Sequence, residues 1–250
     1  MLYYKADIGV IGGSGLYELY PDVKKIEVDT PYGKTSDAIS LVTVGDKKVA
    51  FMPRHGKDHT LNPSEINYRA NIDAFAQLGI RALISPCCVG SLRPEIEPGD
   101  FVVTDQFINM TSGRKDTFNE TPNVVHLSSA DPYDPGLRQI ALEEAGKLGI
   151  KTHDGGTVVV VNGPRFSTRA ESRMFAMMGA DVINMTQYPE GYLCMEKGIP
   201  VVNIALITDY DAGLEGRPDI KPVQAEDVVR VLEDNNDRVK QLIFRMIERI

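Results

Sequence analysis

The stretch DIGVIGGSG, residues 7–15, decides the fold class of this chain. Asp7 to Ile11 is a short apolar run that stops at Gly12, Gly13, Ser14 and Gly15, which reads as a first strand ending in a tight glycine turn. Downstream, Ile39 to Val44 and Lys48 to Met52 flank Gly45 and Asp46 as a hairpin. From Ser64 to Leu78 the spacing turns helical, with Ile66, Ala70, Ile72, Phe75 and Ala76 on one face and Gly79 as the C-cap. Strands follow at Ala82 to Ser85, Phe101 to Thr104, Gly156 to Val161, Asp181 to Asn184 and Val201 to Thr208. Helices fall at Pro135 to Leu148, Thr168 to Met178 and Gly191 to Lys197, and a long amphipathic helix closes the chain from Gln224. Alternating strands and helices, with several strands apolar throughout, imply a mixed α/β sheet covered on both sides. No repeat or linker divides the 250 residues, so a single domain is expected over 1–250.

Composition narrows the function classes. A formal charge of -8 argues against binding a nucleic-acid backbone, which needs a basic surface. It leaves room for a small anion, which a few amides and one arginine can hold locally. The start MLYYKADIGVIGG lacks a basic region followed by an apolar stretch and a cleavage site, and no run approaches a membrane span. Cys87, Cys88 and Cys194 make no zinc spacing and no CxxC pair, which suits a reducing cytosol and no metal site.

The runs that could carry chemistry follow strand ends, where open α/β sheets place ligands. GGSG at 12–15 reads as an anion cradle or as a plain structural turn; it is not a dinucleotide fingerprint, since position 17 holds no glycine. PRHG at 53–56 offers the planar fork of Arg54 and the imidazole of His55, or else a solvated strand terminus. CCVGS at 87–91 completes an anion nest or a buried turn, its cysteines reading as small buried filler. GPRFST at 163–168 presents Phe166 for stacking or for the core. NMTQYPE at 184–190 sets Met185 beside Asn184 and Thr186, a soft surface for a sugar face. TDYDAG at 208–213 presents Asp209 and Asp211, which lack the rest of a metal shell but suit the edge of a base. The polar segment from Asn109 to Tyr133 is long for an idle loop and is expected to carry functional or interface residues.

Taken together, IGGSGL, MPRHGKDHT, NPSEINYRANI, GSLRPEIEPGDFVVTDQFI, GPRFSTRAES, GADVINMTQYPE and TDYDAG resemble the methylthioadenosine phosphorylase branch of the trimeric purine nucleoside phosphorylases. The resemblance runs from Gly12 almost to the C-terminus. It implies a single-domain, three-layer α/β/α fold with a mixed, partly barrelled sheet, assembled as a homotrimer or a dimer of trimers. It also implies phosphate as co-substrate and no metal or organic cofactor. By motif, Ser14, Arg54, His55 and Thr186 would hold phosphate, and Cys87 and Cys88 would stand where relatives carry small or hydroxyl residues. Met185 would lie against the ribose, Phe166 and Ser167 would line the base pocket, and Asp209, supported by Asp211, would bind the purine at N7 and its 6-substituent. His126 matches a residue lent by a neighbouring subunit, and Ala225, Val228 and Val229 match the wall around the 5′ substituent. Gln187 and Tyr188 depart from the family pattern.

The implied activity is phosphorolysis of 5′-methylthioadenosine. A 6-oxopurine or broad-specificity phosphorylase is the alternative, and an inactive nucleoside-binding protein a more distant one.

Overall fold

Strand β1 (Ile8–Gly12), buried at every residue, pairs in parallel with β4 (Lys47–Pro53) on one side and β5 (Ala82–Ser91) on the other. The computed structural model describes residues 4–12, 24–214 and 217–250, so the Ser14 half of the glycine turn lies outside the described residues. Beyond β4 lie β3 (Ile39–Val44), which forms the expected hairpin through Gly45 at φ 60, and β2 (Lys24–Ile26).

Strand β5 organises the rest. Its ten residues carry β1 at Ala82 to Ile84 and β10 (Val182–Asn184) at Gly90 and Ser91 along one edge. The other edge carries β11 (Val201–Asp209) from Leu83 to Gly90. The sheet therefore forks. One arm continues through β10 to β9 (Thr157–Val160) and β7 (Gln106–Asn109), the other through β11 to β6 (Phe101–Val103) and β8 (Thr152–Asp154). Among the described strands the two arms stay unjoined, so the partly barrelled sheet is a forked one with no closed ring.

Alternating side chains assign the layers. Ile8, Val10, Val49, Phe51, Ala82, Ile84, Val202 and Ile204 face α2 (Pro135–Lys147) and α5 (Ala225–Arg249). Ile11, Ala50, Met52, Leu83 and Val201 face α1 (Tyr68–Leu78) and α4 (Gln187–Glu196). Helix α5 buries Leu232, Val239, Leu242, Ile243, Met246 and Ile247 on one stripe, each worth roughly 1.5–3 kcal/mol of transfer energy. No helix among the described residues is long and apolar enough to cross a membrane.

Three readings of the sequence need correction. Strand β5 runs to Ser91 rather than Ser85, because Cys87 to Gly90 stay in register with β11; CCVGS lies within the strand, not after it. Helix α1 begins at Tyr68, not Ser64: the Asn62 side chain takes the Ser64 amide at 2.9 Å in a local turn, and Asn67 caps the Ala70 amide at 3.2 Å. Helix α4 begins at Gln187, with a non-helical Tyr188 ahead of Pro189. The short strands β2, β7 and β8 carry no continuous apolar run and so gave no periodic signal.

Candidate active site

Strands β1, β4, β5 and β11 are mutually parallel, so Gly12, Arg54, Gly90 and Asp209 come to one end of the sheet. Strand β10 runs back against the end of β5, which returns Asn184 to Thr186 alongside Cys87 to Val89. The result is a cavity of about 260 Å³. Of the expected site residues, Arg54, His55, Cys87, Cys88, Phe166, Ser167, Met185, Thr186, Asp209, Asp211 and Val228 line it. His126, Ala225 and Val229 do not: all three are exposed on this chain.

Arg54 is 1% exposed, and its guanidinium is committed to the protein. Nε donates to Glu190 Oε2 at 2.6 Å and Nη2 to Glu190 Oε1 at 2.8 Å. The second Nη2 hydrogen is shared by Ile11 O (3.0 Å) and Ser85 Oγ (3.1 Å), and Nη1 donates to Pro86 O at 3.2 Å. Of the five N–H groups of an arginine, one on Nη1 remains. The planar fork faces Glu190, which is buried beside it, and the N–H left on Nη1 is what Arg54 can offer an anion. Glu190 is what the sequence reading missed, although it ends the NMTQYPE run. An acid with no basic neighbour in sequence, buried in a helix, signals a tertiary partner.

Gln187 and Tyr188 also find roles. Gln187 Nε2 donates to Ser85 Oγ at 2.7 Å and Gln187 Oε1 accepts from Tyr133 Oη at 3.2 Å, which extends the network beneath the cavity. Tyr188 Oη donates to Asp116 Oδ2 at 2.8 Å. Cys87 Sγ accepts from Asn203 (3.2 Å) and Asn184 (3.4 Å), an amide-lined seat for the thiol. Burial raises both cavity thiols, Cys88 to about 12, so they stay protonated and poorly nucleophilic.

His55 is buried and tightly fixed. Its Nδ1 lies 2.8 Å from Leu61 O, the Leu61 amide returns a bond to His55 O at 3.1 Å, and its ring stacks on His59 at 4.2 Å. Burial, with the nearby Arg54 and His59, lowers its pKa to about 4 despite the Leu61 carbonyl, so the ring is neutral. Thr186 precedes α4 with no side-chain capping bond, which leaves its hydroxyl available to the cavity it lines.

Asp209 sits at a register shift between β11 and β5, opposite Gly90. Thr208 Oγ1 donates to Oδ2 and the Asp211 amide to Oδ1, both at 2.7 Å. Burial raises its pKa to about 6; these two bonds oppose the rise, and the charges of Asp211 and Asp227 add to it. A Cβ on Gly90 would stand 2.9 Å from Asp209 Oδ1 and 3.2 Å from the Asp211 amide, so only glycine leaves the carboxyl its place. Asp211 itself adopts φ 48, and its Oδ2 has no hydrogen-bond partner among the described residues. Burial raises this carboxyl too, opposed by the Ser172 and Ser167 hydroxyls. Gly163, at φ 66, leaves space that the Met185 thioether fills. Phe166 is part-exposed at the mouth, and Val228 is the residue of its α5 trio that reaches the wall. Among the described residues no group of three or more His, Cys, Asp or Glu is arranged to hold a metal ion.

The chain is related to known proteins over nearly its whole length. Residues 7–248 match the family model described as the phosphorylase superfamily. The S-methyl-5'-thioadenosine phosphorylase of Thermofilum pendens is 48% identical over 98% of this chain and 93% of its own. That of Saccharolobus solfataricus is also 48% identical, over 98% of this chain and 90% of its own. Among solved structures, methylthioadenosine phosphorylase from Schistosoma mansoni in complex with adenine superposes with a TM-score of 0.91 at 34% identity, covering 98% of this chain and 91% of that one. The chain belongs to the phosphorylase superfamily, within its methylthioadenosine phosphorylase branch.

Proposed function

We propose that this chain cleaves 5′-methylthioadenosine with inorganic phosphate, giving adenine and 5-methylthio-α-D-ribose 1-phosphate. The observation that carries the reading is Asp209: a half-buried carboxyl with its pKa raised to about 6, in the same cavity as Thr186, His55 and Arg54. A glycosidic C–N bond breaks when the sugar carbon can bear positive charge and the purine can leave neutral. Phosphate held by Thr186, His55, the remaining Arg54 N–H and, on the resemblance, Ser14 stabilises the oxocarbenium-like carbon and attacks it. Asp209 shares a proton with purine N7 as the bond breaks, and Asp211 holds it through the backbone bond. Direct attack inverts the anomeric carbon and needs no protein nucleophile, in keeping with the protonated thiols of Cys87 and Cys88. Met185 packs on the ribose and Phe166 and Ser167 on the base. The reading uses phosphate as co-substrate and no metal or organic cofactor.

One further feature supports a shared site. Residues 121–130 are all exposed, with Val124 at 59% and Val125 at 57%, yet the root of this arm is fastened by Arg69 to Glu120 (3.0 Å) and Glu196 to Thr117 (2.7 Å). A rooted apolar arm suits insertion against a second copy, His126 reaching the 5′ end of the sugar in a homotrimer or a dimer of trimers. Three free thiols suit a reducing cytoplasm.

A second reading rests on the same carboxyl: when protonated, Asp209 donates a hydrogen bond, which suits a 6-oxopurine. Purine release from methylthioadenosine, adenosine, inosine and guanosine, each with and without phosphate, separates the two. Phosphate-dependent release with methylthioadenosine giving the highest kcat/KM is expected; higher values for inosine and guanosine would favour the second reading.

A further inference from the structure

The charge balance of the anion end of this cavity is unusual for a site that receives phosphate. Arg54 is the one Lys or Arg among the described lining residues, and Glu190 neutralises it at 2.6 and 2.8 Å. The stretches 13–23 and 215–216, outside the described residues, contain no Lys, Arg or His in sequence. On the other side of the ledger stand the carboxyls of Asp209 and Asp211. Among the described residues, a dianion entering here would meet no net positive charge to offset its desolvation.

His55 adds a directional constraint. A carbonyl oxygen only accepts, so the 2.8 Å contact between Nδ1 and Leu61 O requires the hydrogen on Nδ1. The reciprocal Leu61 amide bond and the stack on His59 hold the ring in that orientation. In the neutral ring Nε2 then carries a lone pair, and His55 is one of the residues that line the cavity. A fully ionised phosphate oxygen has nothing to give that lone pair; a phosphate O–H does. Among the described residues, the charged and titratable groups that line the cavity with this imidazole are Arg54 and His59 in its own turn, Cys87 and Cys88 on β5, and Asp209 and Asp211 at the end of β11, with Glu190 of α4 behind Arg54. Burial lowers His59 as well, which favours its neutral form.

We propose that phosphate occupies this cavity as its monoanion, one phosphate O–H donating to His55 Nε2, so that the site selects a protonated anion. The proposal rests on the phosphorolytic reading above and specifies the form of its co-substrate. Above the second ionisation of phosphate, each anion bound must therefore bring in a proton from solution.

Calorimetry of inorganic phosphate binding to the whole enzyme, in buffers of different ionisation enthalpy, reads this directly. At pH 8 about one proton is expected to be taken up per phosphate, and between pH 7.5 and 8.5 both Kd and the KM for total phosphate should rise about tenfold. Sulfate, which carries no proton at pH 8, should fail to displace phosphate. In His55→Gln the amide supplies a donor in place of the acceptor, and proton uptake at pH 8 should fall towards zero. A buffer-independent binding enthalpy at pH 8 with a flat KM overturns the proposal, as does sulfate competing on equal terms. So does undiminished uptake in His55→Gln. Phosphate-dependent turnover without proton uptake removes this inference alone; no phosphate-dependent turnover at any pH removes the phosphorolytic reading itself.

Discussion

Asp209 shows how a single residue's chemistry depends on what is packed around it. TDYDAG marks two carboxylates beyond an apolar strand, and burial raises Asp209 to about 6; what the run does not tell is that Gly90 would face it across the strand pair. The sign of the consequence is definite. The folded protein holds this proton more tightly than the unfolded chain, whose aspartate titrates near 3.8. The associated stability is full below about pH 4 and is lost as pH rises through about 6. Asp209→Asn removes that loss. Its stability relative to the natural protein should improve by up to about 3 kcal/mol between pH 4 and pH 8, read from urea midpoints. A difference that stays constant with pH would mean the carboxyl is not raised.

At the scale of elements, boundaries were set by side-chain capping rather than by apolar spacing. The start of α3 (Arg169–Met177) was legible because Thr168 and Glu171 form a capping box, Thr168 Oγ1 taking the Glu171 amide at 3.2 Å and Glu171 the Thr168 amide at 2.8 Å. Glu171 also grips Arg165 at 2.6 and 2.8 Å, so the box fixes the segment that carries Phe166 and Ser167. Thr168→Ala should cost about 1 kcal/mol of stability. It should also raise the nucleoside KM a few-fold while leaving the phosphate KM unchanged, since the cap lies on the base side. Steady-state kinetics with each substrate varied in turn checks this. The starts of α1 and α4 were not legible, since a local Asn62 turn and a non-helical Tyr188 override the propensity of the residues around them.

For the whole molecule, the fork at β5 is the decisive feature. Because one strand serves β1 and β10 on one edge and β11 on the other, the PRHG, CCVGS, GPRFST, NMTQYPE and TDYDAG runs meet in one cavity. The same chain leaves residues 121–130 uncovered. On the shared site proposed above, Val124→Asp combined with Val125→Asp should shift the protein towards monomer in native mass spectrometry and raise the KM for methylthioadenosine at least tenfold, because the proposed supply of His126 in trans would be lost. An unchanged mass distribution would dissociate the arm from assembly.

The sequence by itself determined the layered α/β class, the hairpin, the closing helix and most positions that line the cavity, since these follow from local apolar periodicity and from glycines and polar groups at strand ends. Only the tertiary structure decided that Arg54 turns to Glu190, 136 positions away, that β5 continues through its cysteines, and that His55 Nδ1 is taken up by the Leu61 carbonyl. Each of these depends on which partner is near in space. Hydrogen bonding and desolvation act over a few ångströms and carry no trace of their partners along the chain.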